Sequence, residues 1–345
     1  MNTNIFNRSG ALTDLFNKLN DMSIHEFKSL EEIFEYKRNY KIKIDEIKQN
    51  KKDEINEDIK LLNVENENLL SEYNKCKDHN ILIISEKIEK YNNIINNVKN
   101  NLFYIIKKHY SKRKLIKIEL KYNDIIEKPL VNYLNKINEN RNKIDYLSNY
   151  QDEEIEKRAK LAIKKIENTV SKLNSLSPLI FGSVGETKAI KLFQEFPNKY
   201  YIINDFRETF RPPLYNRNEN DYIYSVQLDH IVIGPTGVYL IETKYWNKKS
   251  IESKDLFSPV KQIRRGSFAL FVLLNDYIRG TSLFSSNWGT KKLSIFSIIL
   301  MMNTSINEQL QYVKILTEYD LIDYITKRPN ILNDEQIKYL VKILK

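Results

Sequence analysis

The spacing of glycine is the feature that most limits what this chain can fold into. Of its eight glycines, Gly10 is followed by none until Gly182, and the other six run from Gly185 to Gly289. A stretch of that length, with Pro129 as its only proline before Pro178 near its end, cannot supply the many tight turns of a compact fold. We therefore expect it to be helical, and we expect the region after it to have a different architecture.

Apolar residues at heptad spacing predict that the glycine-free stretch forms a coiled coil or long antiparallel helices. Two seams occur, and the second begins one residue out of phase at Lys77-Asp78-His79-Asn80. That slip is either a stutter in one continuous rod or the turn of a helical hairpin. Asn66 is a seam residue of the type that sets register or oligomeric state. The first seam is Ile55, Ile59, Leu62, Asn66, Leu69, Tyr73 and Cys76; the second is Ile81, Ile84, Ile88, Tyr91, Ile95, Val98, Leu102, Ile105 and His109.

The sequence predicts three parts: an N-terminal segment at 1–23 with room for a short helix, a helical arm at 24–176, and an α/β domain at 179–345. In the α/β domain the expected order is a helix, three strands, a helix, two strands and two closing helices. A strand that follows a crossover helix in the same sheet should run parallel to its predecessor. The polar residues 207–221 are expected to form an exposed loop. The predicted fold class is a mixed central sheet flanked by helices, plus a long all-α arm.

Two apolar runs joined by Gly234-Pro235-Thr236-Gly237 predict a β-hairpin within this domain. Pairing across that turn places Asp229 opposite Glu242. Directly opposite side chains have Cβ atoms about 4.5–5.5 Å apart, so two acids there are destabilising unless a cation lies between them. Lys244 projects from the same face as Glu242, because side chains alternate along a strand. Two acids and a lysine should therefore converge.

Composition excludes several classes of protein. Cys76 is the single cysteine, and the four histidines are too scattered for a zinc site. No stretch approaches 18 consecutive apolar residues, and Met1-Asn2-Thr3-Asn4 is not a basic segment leading into an apolar core, so a cytoplasmic location is expected. The net charge of +10 suits a polyanionic partner. Residues 101–150 carry 11 bases against 5 acids, which is also compatible with a solvated helix face.

The order of elements and motifs resembles the PD-(D/E)XK nuclease superfamily and, more narrowly, the nuclease-related domain called NERD. The residues that carry the resemblance are Gly185-Glu186, Gln227-Leu228-Asp229-His230, Gly234-Pro235-Thr236-Gly237, Ile241-Glu242-Thr243-Lys244-Tyr245-Trp246, and Pro259 with Gln262. The resemblance covers the chain from about Phe181 onward and does not explain the 207–221 loop or the helical arm.

The resemblance implies a metal-dependent nuclease that hydrolyses phosphodiester bonds, with DNA preferred over RNA as its substrate. Asp229, Glu242 and Glu186 would bind Mg²⁺ or Mn²⁺. Lys244 would orient or deprotonate the attacking water, or stabilise the developing negative charge. Gln262 would support these groups or contact the substrate backbone. The arm would mediate self-association or recruit a partner, an arrangement that suits defence against foreign DNA such as phage.

Each candidate also has an ordinary structural explanation. Glu242 and Lys244 could be an exposed ion pair on an edge strand, and Glu186 could simply complement a helix N-terminus. Gln262 could be an ordinary helix-surface residue. His230 points to the face opposite Asp229 and is expected to be packed, as are the strand-end aromatics Tyr245 and Trp246. The alternative function is a non-catalytic nucleic-acid-binding or scaffold protein in which the coiled coil is the functional part.

Overall fold

The computed structural model describes residues 4–97, 102–246, 257–286, 289–290, 292–306 and 308–345. It forms two compact units, one made of Met1–Lys37 with Thr169–Lys345 and the other of Arg38–Asn168. This division differs from the predicted 1–23, 24–176 and 179–345, because the N-terminal residues belong to the unit that holds the sheet. The physical reason is burial: Leu15, Leu19 and Ile33 pack with Leu173 and Ile180 in one apolar cluster.

The unit of residues 38–168 is entirely helical in its described part. The first helix of this unit, α2 (Leu30–Asn96), continues without a break through Lys77–Asn80. The phase slip between the two seams is therefore not the turn of a helical hairpin. Later helices nevertheless fold back on it: Ile55 packs against Leu147 and Ile155, and Tyr73 donates a hydrogen bond to Glu127 (3.0 Å). The first seam is thus covered within one chain, whereas Leu102 and Ile105 of the second seam are exposed. The helices are α2 (Leu30–Asn96), α3 (Leu102–Leu120), α4 (Tyr122–Glu127), α5 (Val131–Asn149) and α6 (Gln151–Ser175).

Two further details of the arm follow from its sequence. Pro129 lies in a 3₁₀ turn over Lys128–Leu130 that separates α4 from α5, as expected of a residue that cannot donate a helical hydrogen bond. Val98, a predicted seam position, lies outside the described residues.

The other unit is built on a six-stranded mixed sheet of order β1-β2-β3-β4-β7-β8. The strands are β1 (Ile5–Phe6), β2 (Tyr201–Asn216), β3 (Asp221–Gly234), β4 (Gly237–Lys244), β7 (Ile295–Met301) and β8 (Val313–Thr317), with a separate ribbon of β5 (Ser285–Ser286) and β6 (Gly289–Thr290). Its helices are α1 (Gly10–Asp21), α7 (Ser177–Leu192), α8 (Phe257–Ile278), α9 (Leu321–Thr326) and α10 (Asp334–Leu344), joined by 3₁₀ turns at Phe193–Glu195 and Ser282–Phe284. The predicted fold class is confirmed, as is the parallel pairing of β4 with β7 after the crossover helix α8.

The expected loop at 207–221 is wrong, because β2 and β3 form one long antiparallel hairpin with only residues 217–220 between them. The pairing shifts register between Thr209 and Leu214, and this irregularity accommodates Pro212-Pro213, which cannot donate ladder hydrogen bonds. Beyond it, the rings of Tyr215 and Tyr222 lie 4.8 Å apart across the strands.

The β3–β4 hairpin has the predicted register. Gly234 pairs with Gly237, and the pairing continues to His230 opposite Ile241. Strand β4 lies between β3 and β7 at the centre of the sheet, and only its last residue escapes full burial. The explanation of an exposed ion pair on an edge strand is therefore wrong.

Helices cover both faces of the sheet and approach it closely at two glycines. A Cβ atom on Gly185 of α7 would lie 2.8 Å from the Tyr245 Cβ, and one on Gly266 of α8 would lie 2.6 Å from a Leu228 methyl. Because real Cβ atoms do not approach that closely, glycine sets the distance between each helix and the sheet. That distance places α7 and α8 beside the end of β4.

Candidate active site

All five residues predicted for the site line one cleft of about 640 Å³ at the end of β4. Strand β3 contributes Asp229, strand β4 contributes Glu242 and Lys244, and the helices contribute Glu186 and Gln262. The rest of the lining includes Asp14, Phe181, Gln227, Tyr245, Trp246 and Asn303. Groups more than 50 residues apart in sequence therefore meet at one place.

Lys244 is the positive centre of this cleft. Its Nζ lies 2.5 Å from the Glu242 Oε1, and it donates a longer hydrogen bond of 3.4 Å to the Gln262 Oε1. Asp229 is held from the same hairpin, because its Oδ2 accepts a hydrogen bond from the Thr243 amide at 2.9 Å. The side chains of Glu242 and Lys244 are 6% and 20% exposed, so their ion pair is far less screened by water than a surface pair.

Glu186 reaches the cleft from the interior of α7, which begins at Ser177. It is therefore more than two turns from the start of its own helix. The alternative explanation, that Glu186 complements a helix N-terminus, nevertheless holds for a different helix, α1. The buried carboxylate accepts two hydrogen bonds on Oε2 there, from the hydroxyl of the cap residue Ser9 at 2.7 Å and from the first-turn amide of Ala11 at 3.1 Å.

The pKa of each of the three carboxyl groups lies above its ordinary value, chiefly because the groups are buried. Burial and the charge of Asp229 raise the pKa of Glu186 to about 7 and that of Glu242 to about 8. Burial likewise raises the pKa of Asp229 above its ordinary value. Burial is the larger cause of these shifts and the charge of Asp229 the smaller one, and a cation placed beside the carboxylates would lower their pKa.

Lys244 remains a cation in this environment. Burial lowers its pKa, but the opposing charges of Glu242 and Asp229 are together stronger, so the pKa lies above the ordinary lysine value. A lysine in that state donates hydrogen bonds and does not accept a proton. Of the roles predicted for it, stabilisation of negative charge fits best.

Of the residues that were expected to be packed, His230 is packed in the core, whereas Tyr245 and Trp246 are half-buried and line the cleft. His230 is fully buried, its Nδ1 is 2.8 Å from the Asn204 Oδ1, and its ring lies edge-on against Phe193. Burial lowers the pKa of His230 to about 3, so the imidazole is neutral. Tyr245 stacks on Phe181 on the wall of the cleft. Trp246 packs partly against the core.

Several site residues were not predicted from the sequence. Ser9 binds Glu186, and Asp205 accepts hydrogen bonds from Gln227 (2.9 Å) and Arg207 (3.0 Å) beside the cleft. The one available signal was Ser9 followed by the periodic apolar residues of α1, which marks a helix N-cap. Nothing in that pattern indicates where the helix docks.

The donor set suits a divalent metal in its chemistry but is not preassembled around one. Carboxylate oxygens are the ligands that Mg²⁺ and Mn²⁺ prefer, and three lie where their charges interact. Within the described ranges, however, no three His, Cys, Asp or Glu residues are grouped as they would be around a bound ion. The carboxylate oxygens and their negative charge fit a divalent metal ion. For Glu242 to bind that metal, its contact with Lys244 would have to rearrange.

Comparison with known families agrees with the resemblance expected from the sequence. The family model described as the nuclease-related domain, NERD, matches residues 181–299. The match includes all five predicted site residues and indicates a nuclease-related function for this part of the chain. Searches of curated proteins and of solved structures returned no match. Among the described helices, none is sufficiently long and apolar to cross a membrane.

Proposed function

We propose that the protein is a metal-dependent nuclease that hydrolyses phosphodiester bonds, with DNA favoured over RNA as its substrate. The observation that carries this proposal is the meeting of Glu186, Asp229, Glu242 and Lys244 in one cleft of a domain that matches the nuclease-related family model. The preference for DNA rests on the family resemblance alone.

Each residue has a role that follows from its environment. Bound Mg²⁺ or Mn²⁺ would supply an activated water and neutralise charge on the phosphoryl oxygens. Asp229, Glu242 and Glu186 would hold the ion. Lys244, charged and directed into the cleft, would donate to the phosphoryl oxygen on which negative charge develops. Gln262 would restrain Lys244 through its side-chain oxygen.

For the arm, we propose recruitment of a second copy or of another protein, in a cytoplasmic setting that would suit defence against foreign DNA. Support comes from helix α3, which leaves large apolar side chains in solvent among its basic residues. The exposed residues are Leu102, Phe103, Ile105, Ile106, Tyr110, Ile116 and Leu120.

A non-catalytic nucleic-acid-binding protein is the second candidate. Each carboxylate of the cleft already has a protein partner, and the described part of the chain contains no preassembled metal cluster. A cleft in that condition could bind a phosphate backbone through Lys244 without cutting it.

Cleavage assays separate the two candidates. The full-length protein is incubated with linear, circular and single-stranded DNA and with RNA, in Mg²⁺, in Mn²⁺ and in EDTA. We expect metal-dependent cleavage of DNA that Lys244→Ala reduces roughly 100-fold or more, the loss typical of removing one charge-stabilising donor. Lys191→Ala is the matched control, because this exposed lysine lies on α7 outside the cleft and removes the same charge.

Two sets of results would contradict the proposed nuclease function. Cleavage that survives in EDTA, or that Lys244→Ala leaves intact, rules out the proposed site. Binding of nucleic acid with no cleavage of any substrate in either metal favours the non-catalytic candidate.

A further inference from the structure

The N-terminal segment is bound to the sheet through residues 4–7. Strand β1 pairs with Ile202 and Ile203 of β2. The buried Asn204 side chain donates hydrogen bonds to the carbonyls of Phe6 and Asn7, each at 3.1 Å. This segment lies outside residues 181–299, which match the nuclease-related family model. Its position is nevertheless set by the same sheet that carries the site.

Gly10 and Asp14 continue this attachment along the edge of the cleft. A Cβ on Gly10 would lie 2.5 Å from the Asp205 Oδ1, so a larger residue there would have to displace the Asp205 side chain. Asp14 forms an ion pair with Arg207 at 3.1 Å and lines the cleft itself. The start of α1 is thus held against the site from two sides.

Ser9 connects this segment to a residue of the site. Its hydroxyl is 3% exposed, accepts a hydrogen bond from the Leu12 amide as the N-cap of α1 (3.1 Å), and donates to the Glu186 Oε2 (2.7 Å). Because a hydroxyl has one proton, accepting from the helix directs that proton to the carboxylate. The Ala11 amide donates to the same oxygen, which leaves Oε1 without a hydrogen bond from any described residue.

We infer that Ser9 is a positioning residue of the metal site: with the Ala11 amide it fixes the orientation of the Glu186 carboxylate, so that a segment outside the matched domain completes the site. The inference rests on the proposed function, because it assigns to Glu186 the role of metal ligand. Residues that orient a metal ligand in this way typically change metal affinity by 10-fold to 100-fold when they are removed.

The test is the affinity of the full-length protein for Mn²⁺, measured by calorimetry without nucleic acid. We expect Ser9→Ala to weaken Mn²⁺ binding about 10-fold or more, and Ser9→Thr, which keeps the hydroxyl, to restore most of the affinity. Ser29→Ala is the matched control, since Ser29 accepts a hydrogen bond from the Glu32 amide at the start of α2 and has no part in the cleft. It should lower the melting temperature by a similar amount and leave Mn²⁺ affinity unchanged.

Two results would overturn the inference, and they are distinguishable. If the wild-type protein binds Mn²⁺ and Ser9→Ala binds it equally or more tightly, Ser9 does not position a ligand, while the proposed nuclease function stands. If the wild-type protein binds no Mn²⁺, the metal site itself is wrong, and the metal-dependent function falls with the inference.

Discussion

Two buried acids in the cleft, Glu186 and Glu242, make stability depend on pH, because burial and the charge of Asp229 favour their protonated forms. In the unfolded chain a glutamate titrates near pH 4.5, whereas in the folded protein the pKa is about 7 for Glu186 and about 8 for Glu242. Between these values the folded state binds more protons than the unfolded state. Stability must therefore fall as pH rises through this window, and it stays low above it.

We predict that the free energy of unfolding, measured by urea denaturation in EDTA, decreases between pH 5 and pH 8. For each proton that the folded state binds in excess of the unfolded state, the free energy of unfolding falls by about 1.4 kcal/mol per pH unit. Glu242→Gln removes one of the two buried carboxylates and should flatten the slope, whereas Glu195→Gln, at an exposed position, should not. A Glu242→Gln variant with the wild-type slope would show that this carboxylate is not held protonated by its surroundings.

Among the secondary-structure elements, α7 matters most for the geometry of the site, because it carries Glu186 and its distance from the sheet depends on one glycine. A Cβ on Gly185 would lie 2.8 Å from the Tyr245 Cβ, but a Cβ on Gly182 would lie 3.7 Å from the nearest atom, the Ala11 Cβ. The two glycines are one turn apart on one helix, so they share a helix propensity and differ in packing.

We predict opposite effects for two alanine substitutions in this helix. Gly182→Ala should stabilise the protein by about 0.5–1 kcal/mol, because alanine favours the helix and the methyl group has room. Gly185→Ala should destabilise it by roughly 1–3 kcal/mol through overpacking against β4, and should reduce nuclease activity by displacing Glu186. Thermal unfolding of both variants is the measurement. Equal effects at the two positions would mean that α7 does not depend on close contact with the sheet.

Elements and site residues could be predicted where the determining signal is local. The β3–β4 hairpin has apolar runs around a four-residue turn, so its register and the neighbourhood of Asp229, Glu242 and Lys244 follow from sequence. Residues 207–221 could not be assigned correctly, because prolines and charges conceal a hairpin whose irregular pairing accommodates them. The contact of Ser9 with Glu186 spans 177 residues, and no local pattern encodes it.

The whole molecule has a topology that the heptad pattern could not reveal. Heptad spacing predicts that a helix face will be covered, but not whether the cover comes from the same chain or another one. For the first seam the cover comes from the same chain, and residues 38–168 are inserted between two halves of the sheet-bearing unit. The two ends of the insertion meet, because the Tyr36 hydroxyl and the Thr169 side chain are hydrogen-bonded.

If the arm is an insertion, the sheet-bearing unit should fold without it. We predict that joining Lys37 to Thr169 through about six Gly/Ser residues, enough to bridge the short gap, gives a folded monomer with a cooperative thermal transition. Residues 169–345 alone should aggregate or remain partly unfolded, since they lack Leu15, Leu19 and Ile33, which bury Leu173 and Ile180. Circular dichroism and size-exclusion chromatography compare the two proteins. An unfolded joined protein, or a fragment 169–345 that is equally stable, would show that the N-terminal segment is not an integral part of this domain.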